Sequence, residues 1–144
     1  MDVGLSMVNV GEYLRAFYLD SDRDNIIAYD IVNALSEFKR LTRASVIDIG
    51  NLTVDGHCFK VVYSRAANEG MHISVVNKEG KTIVRGSCII MGFDTVNGRQ
   101  TLRDLTDEEV DLIMDNMALM VVTPKDGKEY YNAYVLCNAV FSRD

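Results

Sequence analysis

The chain has 144 residues, of which 48% are hydrophobic and 25% charged, the balance of a globular protein of one domain. Its net charge of −6 argues against broad binding to the nucleic-acid backbone, and no apolar run approaches the roughly 20 residues that span a bilayer. The three cysteines are odd in number and lack framework spacing, and the start of the chain has no basic segment typical of a signal peptide. We therefore expect a single domain over residues 1–144 in the reducing cytoplasm, with neither nucleic acid nor membrane as a partner.

Two helices are predicted at the start of the chain. Asn9 marks the beginning of a short helix that continues through Tyr18. A longer helix runs from Ser21 to Arg43, with Ser21 as the cap and Asp24 completing the broader form of a capping box. Apolar residues recur along it at the spacing of one helical face, with acidic residues early and basic residues late, as the helix dipole favours.

The first half of the long helix is apolar on more than one side. Ile26, Tyr29 and Val32 lie outside its main apolar stripe, so a second surface is needed to cover them. The short helix folded back as an αα-hairpin is one such surface. A partner subunit is the other. These three residues are therefore interface candidates.

The second stretch, residues 44–102, predicts an antiparallel meander. Asp55-Gly56 and Asn97-Gly98 are two-residue hairpin signals between β-rich runs. Gly50 with Asn51 predicts a bulge, and residues 81–91 read as one strand.

The third stretch returns to a helix and closes with strands. Thr106 and Glu109 form a strict capping box that opens a third helix near residues 107–117, in which the spacing directs Met114 inward. A C-terminal β-hairpin follows, with strands over 119–122 and 130–141. The predicted fold class is α+β, with two N-terminal helices and the third helix gathered on one face of an antiparallel sheet.

Motifs that carry chemistry are missing from the sequence. It contains no phosphate-binding glycine loop, no hydrolase elbow, no Cys-x-x-Cys pair and no His-Glu-x-x-His helix. A dyad of Cys58 with His72 on neighbouring strands is conceivable, but a small thiol and a strand-surface imidazole explain both residues more simply. A metal site lacks local ligand spacing; its ligands would come from His57, Cys58, His72, Cys88 and Cys137. We predict no cofactor and no metal, and assign no catalytic residue.

One candidate interface is the outer face of the third helix. Glu108, Asp111 and Asp115 align there at spacings of three and four, and like charges at that spacing destabilise a helix by a few tenths of a kcal/mol each. No Lys or Arg between residues 103 and 125 compensates them locally. A local rule broken without repair can mark a binding face, although a solubilising surface is the simpler interpretation.

The final strand offers a candidate ligand-binding face. Tyr130 and Tyr134 alternate with the predicted core positions of this strand, and Asn132 lies between them as a hydrogen-bonding group. The alternative is that these tyrosines pack beneath a neighbouring element.

Three functional hypotheses follow. The favoured one is a non-catalytic interaction or assembly protein, such as an adaptor, inhibitor or structural subunit, that binds a protein partner or itself. A viral or mobile-element origin is an added expectation, taken from the short, motif-poor chain and from no particular residue. The second hypothesis is a binder of a small molecule or nucleotide in a cleft between helix and sheet. The third is an enzyme whose dispersed site includes His57 or His72.

Overall fold

The computed structural model describes residues 5–6, 10–20, 28–66, 73–77, 82–122 and 131–143. These residues form strands and two short helices, so the fold is dominated by sheet. The strands are β1 (Leu5–Ser6), β2 (Tyr13–Leu19), β3 (Ala28–Val32), β4 (Ile47–Val54), β5 (His57–Ser64), β6 (Ile73–Asn77), β7 (Thr82–Arg85), β8 (Cys88–Val96), β9 (Arg99–Arg103), β10 (Met117–Val122), β11 (Tyr131–Leu136) and β12 (Ala139–Arg143). The helices are α1 (Leu35–Thr42) and α2 (Asp107–Asp115).

The strands form two sheets. The main sheet has eight strands in the order β1-β9-β8-β5-β4-β12, with β2 also paired to β8 and β3 paired to β2. The second sheet has four strands in the order β10-β11-β6-β7. Two pairs are parallel, β1 with β9 and β11 with β6, and the other described pairs are antiparallel. The predicted α+β fold with an N-terminal αα-hairpin is therefore wrong.

The N-terminal segments pair as strands instead of helices. β2 and β3 run antiparallel, with Tyr13 opposite Val32 and Phe17 opposite Ala28. β2 is buried on both faces, which removes the alternation of polar and apolar residues that identifies a half-buried strand. β3 is rich in aromatic and β-branched residues, which favour a pleated surface. The proposed cap at Ser21 lies outside the described residues.

Within the described part of the predicted long helix, residues 28–43, only the last part is helical. α1 begins after Ala34, whose backbone is extended and which provides no side-chain cap. It ends at Arg43 in the left-handed conformation, where the backbone N–H of Arg43 donates to the carbonyl of Arg40. Residues 28–32, predicted to be helix, belong to β3.

The two hairpin predictions in the middle of the chain are confirmed. Asp55-Gly56 connects β4 to β5 and Asn97-Gly98 connects β8 to β9, and all four residues have positive φ, as a type I′ turn requires. The predicted bulge at Gly50 is wrong, since the β4–β5 register is continuous. A Cβ at Gly50 would lie 2.7 Å from Cε1 of Phe141, so this position has no room for a side chain.

The predicted meander is interrupted twice. β6 and β7 leave the main sheet for the second one, and the strand predicted over 81–91 is divided at Gly86, whose φ is 74°. The C-terminal hairpin of β10 and β11 is confirmed by pairing from Met117 opposite Leu136 to Val122 opposite Tyr131. The strand predicted to continue to residue 141 instead turns at Asn138 (φ 53°) and passes to β12 in the main sheet.

The core lies on both sides of the main sheet. One cluster fills the space between the two sheets and beneath α2; its buried members are Phe17, Leu19, Leu52, Val54, Phe59, Val61, Tyr63, Val84, Cys88, Ile90, Leu105, Ile113, Met117, Tyr134 and Leu136. The other lies beneath α1 and consists of Leu14, Ala16, Ile31, Phe38, Val62, Ile89, Met91 and Leu102. Because neighbouring residues of a strand point to opposite faces, the two helices cover opposite sides of the main sheet and are not gathered on one.

Candidate functional site

The first turn of α2 is fixed by the predicted capping box, which is confirmed. The backbone N–H of Glu109 donates to the hydroxyl of Thr106 at 3.1 Å, and the backbone N–H of Thr106 donates to Oε1 of Glu109 at 2.9 Å. This reciprocal cap places Glu109 on the inner side of the helix, where only 4% of the residue is exposed. A carboxylate at that depth needs compensating partners.

Two cationic or polar side chains from the main sheet reach the Glu109 carboxylate. Arg103, the last residue of β9, donates from Nη1 to Oε1 at 2.6 Å and from Nη2 to Oε2 at 3.1 Å, a bidentate ion pair. His57, the first residue of β5, lies with Nε2 at 2.7 Å from Oε2. With the Thr106 N–H, four donors therefore surround the two carboxylate oxygens. We call Glu109, Arg103 and His57 the α2 lock.

The guanidinium of Arg103 is itself held in place by β8. Its Nε donates to Oδ1 of Asp94 at 2.8 Å, and its Nη1 also donates to the backbone carbonyl of Asp104 at 2.8 Å. Gly92, directly opposite Arg103 in the β8–β9 pair, provides the space: a Cβ there would lie 2.6 Å from Nη1. Together with Asp94, the α2 lock thus joins three strands of the main sheet to one helix.

The charges of the α2 lock stabilise each other. Burial alone would raise the pKa of Glu109, but the hydrogen bonds from Arg103, Thr106 and His57 outweigh it and lower that pKa to about 2. The same contacts with Glu109 and Asp94 raise the pKa of Arg103. Glu109 is therefore ionised at neutral pH, so it accepts from Nε2 of His57 and a neutral His57 ring carries its proton there. A carboxylate whose oxygens already accept four hydrogen bonds holds the helix in place. Its lowered pKa makes it a poor general base.

The outer side of α2 differs sharply from its inner side. Glu108, Asp111 and Asp115 are exposed, and no basic side chain in the described part of the chain forms an ion pair with them. Asp107, by contrast, forms an ion pair with Arg15, in which Oδ1 of Asp107 accepts from Nη1 of Arg15 at 2.6 Å. Met114, predicted to face inward, is 42% exposed beside the three carboxylates. The structure therefore brings together the acidic interface candidates and adds an apolar residue to them.

Two of the other three interface candidates, Tyr29 and Val32, are partly covered by the chain itself. Ile26 lies outside the described residues. Tyr29 is half-buried, with its ring centroid 6.2 Å from that of Tyr18 in β2, and Val32 lies opposite Tyr13. The N-terminal segment thus lies beside Tyr29 and Val32 as a paired strand, and not over them as the predicted helix.

The ligand-binding candidates do not form one exposed face. Tyr134 is 2% exposed and packs in the cluster between the sheets, on the face opposite to the one predicted. Asn132 lies opposite Val121 in the β10–β11 pair. Tyr130 and the side chain of Asn132 lie outside what the structure describes. A role of these residues in ligand binding stays a prediction.

In the part of the chain that the structure describes, His57 and the three cysteines do not gather with other ligands into a group that could hold a metal ion. His72 lies outside the described residues, so its proposed dyad with the exposed Cys58 is not described either. Cys88 is buried, and burial raises the pKa of its thiol to about 12. In the sequence, His57 stands out only because histidines are rare here, and neither Arg103 nor the inward position of Glu109 was predicted. The capping box was the available signal for Glu109; Arg103 has no local signal.

Comparisons with known proteins identify no relative. No protein-family model matches the chain, and neither a curated protein nor a solved structure is significantly similar to it. Within the described ranges, no helix has the length and apolar character required to cross a membrane.

Proposed function

We propose that this chain is a non-catalytic interaction protein of the cytoplasm, an adaptor, inhibitor or assembly subunit, and that it binds a protein partner through the outer face of α2. The partner presents lysine or arginine side chains to Glu108, Asp111 and Asp115. The observation that carries the proposal is the contrast within one helix, because the inner carboxylate has four donors and the outer three have no described ion pair.

The acidic face carries a stability cost that the described residues around it do not relieve. Like charges three and four residues apart destabilise a helix, and Asp115 lies at the helix C-terminus, where the dipole disfavours a negative charge. Arg15 reaches Asp107 but none of the outer three. A basic partner surface would supply the compensation that the described residues do not.

The α2 lock suits the helix for recognition. Its bidentate ion pair and capping box hold α2 on the main sheet, so little conformational entropy would be lost when a partner binds. Met114 provides an apolar centre beside the charged side chains, which is the usual arrangement of an interface core with a polar rim. Ion pairs at such a rim accelerate association and select the partner by charge, and both effects weaken as salt rises.

The test is a quantitative affinity capture from the source cells, with the double variant Asp111→Lys/Asp115→Lys compared with wild type. A matched control, Glu12→Lys/Asp30→Lys, changes net charge equally at exposed positions outside α2. We expect a protein retained by wild type and control but depleted at least about tenfold by the α2 variant, the equivalent of about 1.4 kcal/mol. Equal retention by both double variants would rule out the acidic face as the interface.

The described residues do not favour a small-molecule site on the final strands. The burial of Tyr134 removes the side chain on which the aromatic face depended, and no other described contact favours a ligand.

A further inference from the structure

The outer edge of β12 is open in the part of the chain that the structure describes. β12 pairs with β4 on one side, from Ala139 opposite Val54 to Arg143 opposite Gly50, and no described strand lies on the other. The backbone N–H of Asp55 donates to the carbonyl of Asn138 at 2.9 Å, so Asn138, just before β12, and Asp55, just after β4, form a hydrogen-bonded pair.

The position of this hydrogen-bonded pair determines which backbone groups of β12 point outward. Backbone groups alternate in direction along an antiparallel strand, so the N–H and C=O groups of Val140 and Ser142 point toward β4. The N–H and C=O groups of Ala139, Phe141 and Arg143 therefore point away from the sheet. The ring of Phe141 packs over Gly50 and edge-on to Tyr63 at 5.6 Å, so it is the backbone of this residue that faces outward. The edge thus offers a row of donors and acceptors for another strand.

The outer edge of β3, on which no described strand lies, carries features that hinder pairing with another strand. The backbone of Val32 points away from β2, but its carbonyl accepts from the N–H of Ala34 at 2.9 Å and its N–H donates to the carboxylate of Glu37. Asp30, the next outward residue, is charged and exposed. Charges and local capping are common protections against edge-to-edge pairing. In β12 a charged residue stands only at the end of the strand, at Arg143, and residues 139–142 carry no charge.

We propose that β12 pairs with β12 of a second copy of this chain, antiparallel about a two-fold axis at Val140. In this register Ala139 lies opposite Phe141 of the second copy, and their outward backbone groups form the hydrogen-bonded pairs. Val140, which is 68% exposed, lies opposite the same residue of the second copy at a non-hydrogen-bonded position, where side chains are closest. The arrangement joins two eight-stranded sheets into one continuous sheet.

A second copy fits this edge because the strand is complementary to itself. A two-fold interface uses the same patch on both subunits, and the antiparallel register about Val140 pairs the outward groups of Ala139 and Phe141 on both strands at once. The uncharged run of residues 139–142 also brings no like charges together across the axis, although each chain has a net charge of −6. This assembly does not depend on the α2 interface.

The first test measures the mass of the full-length protein by sedimentation equilibrium over a concentration series. We expect the wild-type mass to rise from 16.1 kDa toward twice that value. Val140→Lys, which places two ammonium groups across the axis, should remain monomeric throughout. Val96→Lys is the matched control, since Val96 is 60% exposed at the far end of β8, and it should associate as wild type does. A wild-type protein that stays monomeric, or a Val140→Lys protein that dimerises normally, would overturn the proposal.

The second test checks the register by disulfide formation. In a background with Cys58→Ser, which removes the exposed native thiol, Val140→Cys should form a covalent dimer under mild oxidation. Non-hydrogen-bonded pairs have Cα atoms about 4.5 Å apart, within the range that a disulfide spans. Val96→Cys in the same background should stay monomeric. Equal cross-linking at both positions would contradict the two-fold at Val140, and a dimer that forms without cross-linking at 140 would do so too. Neither result depends on whether α2 binds a partner.

Discussion

Replacing Glu109 with glutamine should weaken the folded state through the α2 lock. The variant keeps the size of the side chain but removes the charge that pairs with Arg103, and its amide –NH₂ directs a donor toward groups that already donate. Glu108→Gln is the matched control, since it changes the same residue type one position earlier on the exposed side of α2.

The magnitude follows from the pKa of Glu109. Lowering that pKa from 4.5 to about 2 corresponds to about 3 kcal/mol of stability at neutral pH, because each pKa unit is worth about 1.4 kcal/mol. The side chain is 5% exposed, so solvent screening reduces this value little. Since the folded pKa is the lower one, the contribution is complete above about pH 5. It is lost as the pH falls toward 2, with about 1 kcal/mol left at pH 3.

Urea denaturation at a series of pH values provides the assay. We expect Glu109→Gln to lower the free energy of unfolding by about 3 kcal/mol at pH 7, and the difference from wild type to shrink steadily below pH 5. Glu108→Gln should stay within about 0.5 kcal/mol of wild type, as exposed substitutions do. A Glu109→Gln protein as stable as wild type at pH 7 would refute the lock, and a large loss that does not change from pH 7 to 3 would show that charge is not its cause.

Three further predictions concern the cap, the sheet and the thiols. Thr106→Ala should lower the free energy of unfolding by about 1 kcal/mol through loss of the helix cap, whereas Thr106→Ser should restore most of it; urea titration compares them, and equal values for both variants would contradict the capping role. Gly50→Ala should destabilise by about 1–3 kcal/mol because its Cβ meets the ring of Phe141, and the additional change Phe141→Leu should recover part of the loss in thermal melts; no recovery would count against that contact. Cys58 should react with a thiol reagent in the native protein, while Cys88, with its pKa raised to about 12, should react only after unfolding; prompt labelling of Cys88 under native conditions would show that it is not buried.

The features that sequence analysis predicted correctly are those set by a few adjacent residues. Asp55-Gly56 and Asn97-Gly98 adopt positive φ wherever they occur in a tight hairpin, and the Thr106–Glu109 box caps a helix with its own side chains. These structures depend little on distant parts of the chain. They were therefore readable without knowledge of the fold.

The N-terminal prediction failed because the deciding contacts are not local. β2 has apolar residues on both faces, with Leu14 and Ala16 toward α1 and Phe17 and Leu19 toward the second sheet. An apolar run of that kind lacks a period of two, so it resembles a helix with an extended apolar surface. Pairing with β8, about seventy residues away in the chain, selects the strand.

The candidate site was predictable in part for the same reason. Glu108, Asp111 and Asp115 share the outer face of α2 because the helix itself sets their spacing. The contacts of Glu109 with Arg103 and His57 required the register of β8 with β9 and the position of β5 beneath α2. No pattern in the sequence connects His57 to a carboxylate 52 residues later.

Position-specific photo-cross-linking tests the proposed role of α2 most directly. A benzoylphenylalanine in place of Met114, beside the three outer carboxylates, should form a covalent adduct with the partner captured from the source cells. The same probe in place of Val96 should give none, although that position is more exposed. An adduct at Met114 that disappears in the Asp111→Lys/Asp115→Lys background is the predicted result. A captured partner that cross-links at Val96 and not at Met114 would contradict the account.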